Sequence, residues 1–210
     1  MTAEGATAEQ PFSVLMVCTG NIGRSPMMER LMLRELNDRR ASHEVSVVSA
    51  GTLAQSGEAM EPGAARALAD LGADADNFTA TLLTRELVAA SDLVIVATRE
   101  HRGEVVNKLP GAVRRTFTLH ELGRIAAAVP PMPGSNSVDV EVRGGPRWMR
   151  DAVAWAGQLR GSVPRPDSED LDDLADPLGA PDRVYGERAA AIVASVERIV
   201  PYLLGDTSAG

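Results

Sequence analysis

Along the chain, short apolar runs alternate with longer stretches in which apolar residues recur every three or four positions. Residues 13–17, 44–49 and 92–98 are rich in Val, Leu and Ile, the composition of strands buried on both faces, and a shorter run at 115–118 completes the set. Between them, residues 26–39 place Met28, Leu31, Met32 and Leu36 on one face with charges on the other, which predicts a helix. Residues 62–71 repeat small and apolar side chains at helical spacing and stop at Gly72, a residue type that ends helices. Further helices are predicted over 84–90, 99–108, 119–128, 147–159 and 185–204. Strands alternating with helices predict an α/β fold: a single domain with a doubly wound central parallel sheet of about four strands, flanked by helices. Ligands of such sheets sit at the strand C-termini, where the first strand delivers Cys18.

Length and composition narrow the picture. With 210 residues, 44% of them hydrophobic, the chain can bury one sizeable core, and no shift in composition marks a second domain. Residues 1–11 are small and polar and read as a loose tail; 12–205 form the domain, and 206–210 a second tail. Within the domain, 130–146 lacks a regular pattern and holds prolines among Gly, Ser and Asn, so it reads as a long surface insertion. A net charge of −8 argues against nucleic acid and against anionic membranes. No apolar run of about 18 residues and no leader-like segment occur, which predicts a cytoplasmic protein without membrane insertion. One Cys excludes an internal disulfide framework, and three scattered His offer no zinc cluster, so no metal is expected. Arg143, Arg147, Arg150 and Trp148 form either a partner surface or a solvated face around one buried Trp.

The chemistry concentrates in Cys18-Thr19-Gly20-Asn21-Ile22-Gly23-Arg24-Ser25-Pro26, which joins the first strand to the first helix. A loop closing onto a helix N-terminus points backbone N–H groups inward and makes a cradle for a tetrahedral dianion. Gly20 and Gly23 are expected to allow its turns, and Pro26 to occupy the first helical position. With amides, helix dipole and Arg24 converging on it, the Cys18 thiol should ionise near neutral pH. Arg24 offers a planar fork for two phosphoryl oxygens, and Ser25 a hydrogen bond to the sulfur as it leaves. A lone Cys ending a strand is more often a small buried hydrophobe. Here Arg and Ser at fixed offsets, the paired glycines and the Pro point to a nucleophile.

The stretch VLMVCTGNIGRSPM resembles the signature of the low-molecular-weight protein tyrosine phosphatases, V-C-x-G-N-x-C-R-S-P, in an actinobacterial-type form with Gly23 where the family has a second Cys. The resemblance implies a phosphate-binding loop of Thr19, Gly20, Asn21, Ile22, Gly23 and Ser25 around the nucleophile Cys18 and the clamp Arg24. It implies that Ser49, in the S-A-G-T sequence, holds Asn21, and that Phe78 stands where a His usually supports the loop from behind. A phosphate ester needs an acid opposite the nucleophile to protonate the leaving oxygen. Within the acidic run 169–176, only Asp176 precedes a Pro, which stiffens its turn. The family's acid also lies in an Asp-Pro pair before the last helix. Leu178 replaces the aromatic residue that forms a substrate wall there, and Asp170, Asp172 and Asp173 read as surface.

The resemblance implies a phosphomonoester hydrolase working through a phosphocysteine, with no metal or organic cofactor. Its substrate would be a phosphotyrosine protein or a small phosphate ester, and inorganic phosphate its product. A catalytically weak phosphate-binding module is the alternative from another class. Arsenate reductases share the loop but relay electrons through additional cysteines that this chain lacks. Without a second loop Cys, an oxidised Cys18 could form no protective disulfide within the chain and should pass on to sulfinic or sulfonic acid.

Overall fold

The computed structural model describes residues 10–129, 132 and 143–206. The expected tail over 1–9, most of the expected insertion over 130–146 and the end at 207–210 lie outside the described residues. Four parallel strands, β1 (Phe12–Cys18), β2 (Val45–Gly51), β3 (Leu93–Val96) and β4 (Thr116–Thr118), form one sheet in the order β2-β1-β3-β4. Because successive residues of a strand face opposite sides, β1 divides its apolar residues between two cores. Phe12, Val14, Met16 and Cys18 enter the larger one, Leu15 and Val17 the smaller.

The larger core is closed by α1 (Arg24–Asp38), α2 (Pro62–Asp70), α5 (Leu119–Ala128), α6 (Pro146–Leu159) and α7 (Asp182–Leu204). The smaller is closed by α3 (Arg85–Ala90), α4 (Arg99–Lys108) and a 3-10 turn, Pro110–Arg115. Helices on both faces of a parallel sheet make this the doubly wound α/β domain that the alternation predicts. Its strand order reverses between β1 and β3, and the chain leaves their C-terminal ends in different directions, opening a crevice there.

Several boundaries differ from expectation. The first helix begins at Arg24, so Pro26 is its third residue; the first four N–H groups of a helix have no intrahelical acceptor, so a Pro costs nothing there. Strand β2 continues to Gly51, which pairs with Cys18. Helix α7 opens at Asp182, three residues before the expected start at Tyr185, with the acidic side chain at the positive end of the helix dipole. Two 3-10 turns, Pro110–Arg115 and Glu169–Asp172, are too short to leave a periodic signal. On α6, Trp148 is buried against Gly205, and Arg150 pairs with Asp92 at 3.0 Å.

Candidate active site

The loop between β1 and α1 is anchored by its carbonyls. Those of Cys18, Thr19, Ile22 and Gly23 accept from the N–H groups of Thr52, Leu53, Glu61 and Met27 at 2.9, 2.9, 2.8 and 3.2 Å. With these oxygens tied into hydrogen bonds, the loop lines a pocket of about 150 Å³ through Cys18, Thr19, Gly20, Ile22, Gly23 and Arg24. A Cβ on Gly51 would lie 2.4 Å from the Thr19 carbonyl oxygen and 2.7 Å from the Asn21 nitrogen, so only glycine lets β2 end flush against the loop.

The left-handed turn falls on Asn21, at φ 55°, and on neither loop glycine. At Gly20 a Cβ would make ordinary contact with Ile22, and at Gly23 it would meet nothing within 4 Å. Asn21 is fully buried, and its amide group accounts for the unusual backbone. It donates to Ser49 Oγ at 2.8 Å and Ser25 Oγ at 2.9 Å, and its oxygen accepts from the Thr81 N–H at 2.7 Å. Ser49 in turn donates to Glu29 at 2.5 Å, whose carboxyl burial pushes above its ordinary range against the pull of that bond. In the stretch where Phe78 stands in place of the family's supporting His, the main-chain N–H of Thr81 makes the polar contact to the loop. Ser25 Oγ lies 3.0 Å from Cys18 Sγ.

Arg24 is buried along its side chain and reaches three partners: the Leu174 carbonyl at 3.3 Å, Thr19 Oγ1 at 3.2 Å and Asp176 Oδ2 at 2.6 Å. The other Asp176 oxygen accepts from the Leu178 N–H at 3.2 Å, the turn set by Pro177. Cys18, Arg24, Asp176 and Leu178 thus line one pocket although more than 150 residues separate Arg24 from Asp176. Ser49 stands behind the loop.

Sequence reasoning missed several contributors. Glu61 and Tyr185 line the pocket; the ring of Tyr185 fits because Gly63 has no Cβ, which would sit 2.6 Å from it. Burial and the Glu61 carboxylate push the Tyr185 phenol above its ordinary value. His101 is buried, with one ring nitrogen 2.9 Å from Thr19 Oγ1 and the other 2.6 Å from Thr98 Oγ1. Burial, aided by the Arg24 charge, pushes it down to about 4, so it is neutral at pH 7 and ties Thr19 to the start of α4. Only a Thr-x-x-His spacing hints at this, and many helix starts share it.

Asp170 is exposed, as expected, but Asp172 and Asp173 belong to an ion-paired clamp and not to the solvated surface expected for them. Asp173 accepts from the Arg99 main-chain N–H at 2.8 Å and from its guanidinium at 3.3 and 3.2 Å, and Arg99 also pairs with Glu169 and Asp170. Arg124 holds both oxygens of Asp172 at 3.0 and 2.9 Å. The Leu174 N–H donates to the Ala97 carbonyl at 2.8 Å, just past β3. These bonds fix the segment that carries Asp176.

No group of His, Cys, Asp and Glu suited to a metal ion occurs among the described residues, and no helix there is long and apolar enough to cross a membrane. A family model described as low molecular weight phosphotyrosine protein phosphatase matches residues 13–125. The chain is 35% identical over 118 residues to a probable low molecular weight protein-tyrosine-phosphatase EpsP from Ralstonia nicotianae, covering 56% of this chain and 77% of that one. It is 32% identical over 132 residues to a protein-arginine-phosphatase from Bacillus subtilis, covering 62% and 86%. Among solved structures, the YwlE arginine phosphatase from Geobacillus stearothermophilus superposes with a TM-score of 0.64 at 23% identity, over 93% of this chain and 95% of that one, a likeness of fold.

Proposed function

Because the chain belongs to the low molecular weight phosphotyrosine protein phosphatase family and is a cysteine-dependent phosphatase, we propose that Cys18, Arg24 and Asp176 carry the reaction and that the substrate is a phosphotyrosine protein. One observation carries this reading: Cys18, Arg24 and Asp176 line a single small pocket, with Asp176 2.6 Å from the guanidinium. Asp176 lies beyond the residues that the family model matches, so its assignment rests on that geometry.

Cys18 Sγ attacks phosphorus in line while Asp176 protonates the departing oxygen, and the P–O bond to the leaving group breaks as the S–P bond forms. Arg24 and the loop amides bind the equatorial oxygens and stabilise their charge in the transition state. Asp176, now a carboxylate, takes a proton from water as the water attacks the phosphocysteine. Inorganic phosphate leaves and the sulfur returns to its bond with Ser25. For a phosphate to take both arms of Arg24, Asp176 must release the guanidinium, which frees the carboxyl to face the leaving group. The walls suit a phenyl ring: Ile22, Pro177 and Leu178 are apolar, and Tyr185 supplies the aromatic face that Leu178 does not.

A second substrate reading, phosphoarginine, is favoured by Glu61, a carboxylate in the pocket wall that could accept from a guanidinium, and by the arginine phosphatase relative. The actinobacterial-type assignment rests on Gly23 and is tested by placing sequences with Gly at this position in a tree. Comparing kcat/KM for a phosphotyrosine peptide, a phosphoarginine peptide and sugar and nucleotide phosphates separates the substrates. At least tenfold preference for phosphotyrosine supports the first reading; preference for phosphoarginine or a small ester replaces it.

A further inference from the structure

At the opposite end of the sheet from Cys18, around the start of β3, lies an open cavity of about 660 Å³. It is walled by the chain before β3, the turn Pro110–Arg115 and one face of α6. That volume is in the range that holds a small organic ligand. Three arginines reach into it, Arg114, Arg115 and Arg150, against a single carboxylate, Asp92.

The charges there do not cancel. Asp92 is committed: one oxygen accepts from the Ser13 N–H and hydroxyl at 3.0 and 3.1 Å, the other from Arg150 Nε at 3.0 Å. Arg150 is thereby neutralised and held. The Arg115 guanidinium is oriented by one bond, to the Val88 carbonyl at 3.2 Å, and among the described residues its other N–H groups have no acceptor. Arg114 is exposed and meets no acceptor among those residues. Two positive charges are left facing one concave space in a chain whose net charge is −8.

A second arginine-lined cavity shows the difference. It contains Arg99, Arg102, Arg124, Arg160 and Arg165, but the first four are ion-paired with Glu169, Asp170, Asp172, Asp173 or Glu121. That cluster is structural and its charge is spent within the fold. Among the described residues no carboxylate pairs with Arg114 or Arg115. Small side chains, Ala89, Ala154 and Gly157, keep the space open; a Cβ on Gly157 would lie 2.7 Å from the Arg114 carbonyl oxygen, so glycine there lets α6 approach the turn that presents the arginines.

We infer that this cavity is a binding site for a small phosphate-bearing polyanion of at least two negative charges, distinct from the catalytic pocket, with Arg114 and Arg115 as its anion-binding forks. Guanidinium forks match phosphate oxygens in pairs, and Ser91 and Gln158 supply further hydrogen-bonding groups on the wall.

Calorimetric titration of the full chain with pyrophosphate and with ATP, at low salt and with the catalytic pocket saturated by vanadate, tests this. Binding of either is expected, weakened at least tenfold in the Arg114→Glu/Arg115→Glu variant and unchanged in Arg24→Ala titrated without vanadate. Turnover of an aryl phosphate should stay at the wild-type level in the double variant, which shows that it is folded; should it lose activity, Arg114→Ala alone, at an exposed position, is titrated instead and expected to weaken binding. Tighter binding of ATP than pyrophosphate identifies a nucleotide ligand, and equal binding an inorganic polyanion. Absence of vanadate-resistant binding at millimolar concentration, or binding unaffected by the Arg114 and Arg115 substitutions, overturns the inference.

Discussion

Substituting Asn21 by Ala and by Gly separates the two demands that the structure makes on this residue. Its amide group makes three hydrogen bonds, to Ser49, Ser25 and the Thr81 N–H. Each contributes about 1 kcal/mol net. Its backbone is left-handed, at φ 55°, a conformation that costs Ala about 1 kcal/mol and Gly nothing. Truncation to Ala should therefore destabilise the fold by about 4 kcal/mol, and to Gly by about 3 kcal/mol. Urea denaturation gives these values, and hydrolysis of an aryl phosphate by the same samples gives kcat. Both variants should lose about 10- to 100-fold in kcat, because a loop released from Ser49 no longer holds its N–H groups in place. An Ala variant as stable as the wild type, or more stable than the Gly variant, refutes the energetic reasoning. Full kcat in a destabilised variant refutes the link to the cradle.

Other consequences are as specific. Arg99→Ala, which deletes the clamp on Asp173, should lower kcat/KM, which reports the phosphorylation step, about tenfold for phosphotyrosine but little for p-nitrophenyl phosphate, whose leaving group needs no proton; an equal loss in kcat/KM on both substrates counts against a role in placing Asp176. His101 titrates near 4 in the fold against 6.5 in the unfolded chain, so the unfolded state takes up a proton first as pH falls; the stability this group contributes is complete above 6.5 and lost down to about 4, by at most tenfold in the folding constant per pH unit. Urea midpoints of His101→Asn should accordingly fall less steeply across that window than those of the wild type, and parallel curves would contradict the assignment. Prolonged peroxide should inactivate the enzyme beyond recovery by thiol, with mass spectrometry finding sulfinic or sulfonic acid at Cys18; full recovery would show protection from outside the loop.

The layout of the domain was legible because its strands are nearly pure Val, Leu and Ile and its helices have clear apolar faces. Pro62 and Gly72 mark ends that the structure reproduces within a residue or two. Cys18, Arg24 and Asp176 could be picked out because their spacing and the Asp-Pro pair are local features. What could not be read are contacts between distant segments. Nothing near Asp173 announces Arg99 as its partner, so an ion-paired clamp looked like a solvated acidic face. Gly51 and Gly63 are required by the Thr19 carbonyl and the Tyr185 ring, neither of them a neighbour in sequence. Gly20 and Gly23 drew attention to themselves, yet the strained turn belongs to Asn21, whose side chain finds partners on β2 and beyond.

The most direct test of the mechanism is to trap its intermediate. In Asp176→Asn, an aryl phosphate with a good leaving group should still phosphorylate Cys18 while hydrolysis stalls for want of a base, so acid quenching followed by peptide mass spectrometry should find about one phosphoryl group per chain on the Cys18 peptide, and none in Cys18→Ser/Asp176→Asn. A variant that turns over without any such adduct, or that carries it on another residue, would contradict nucleophilic attack by Cys18.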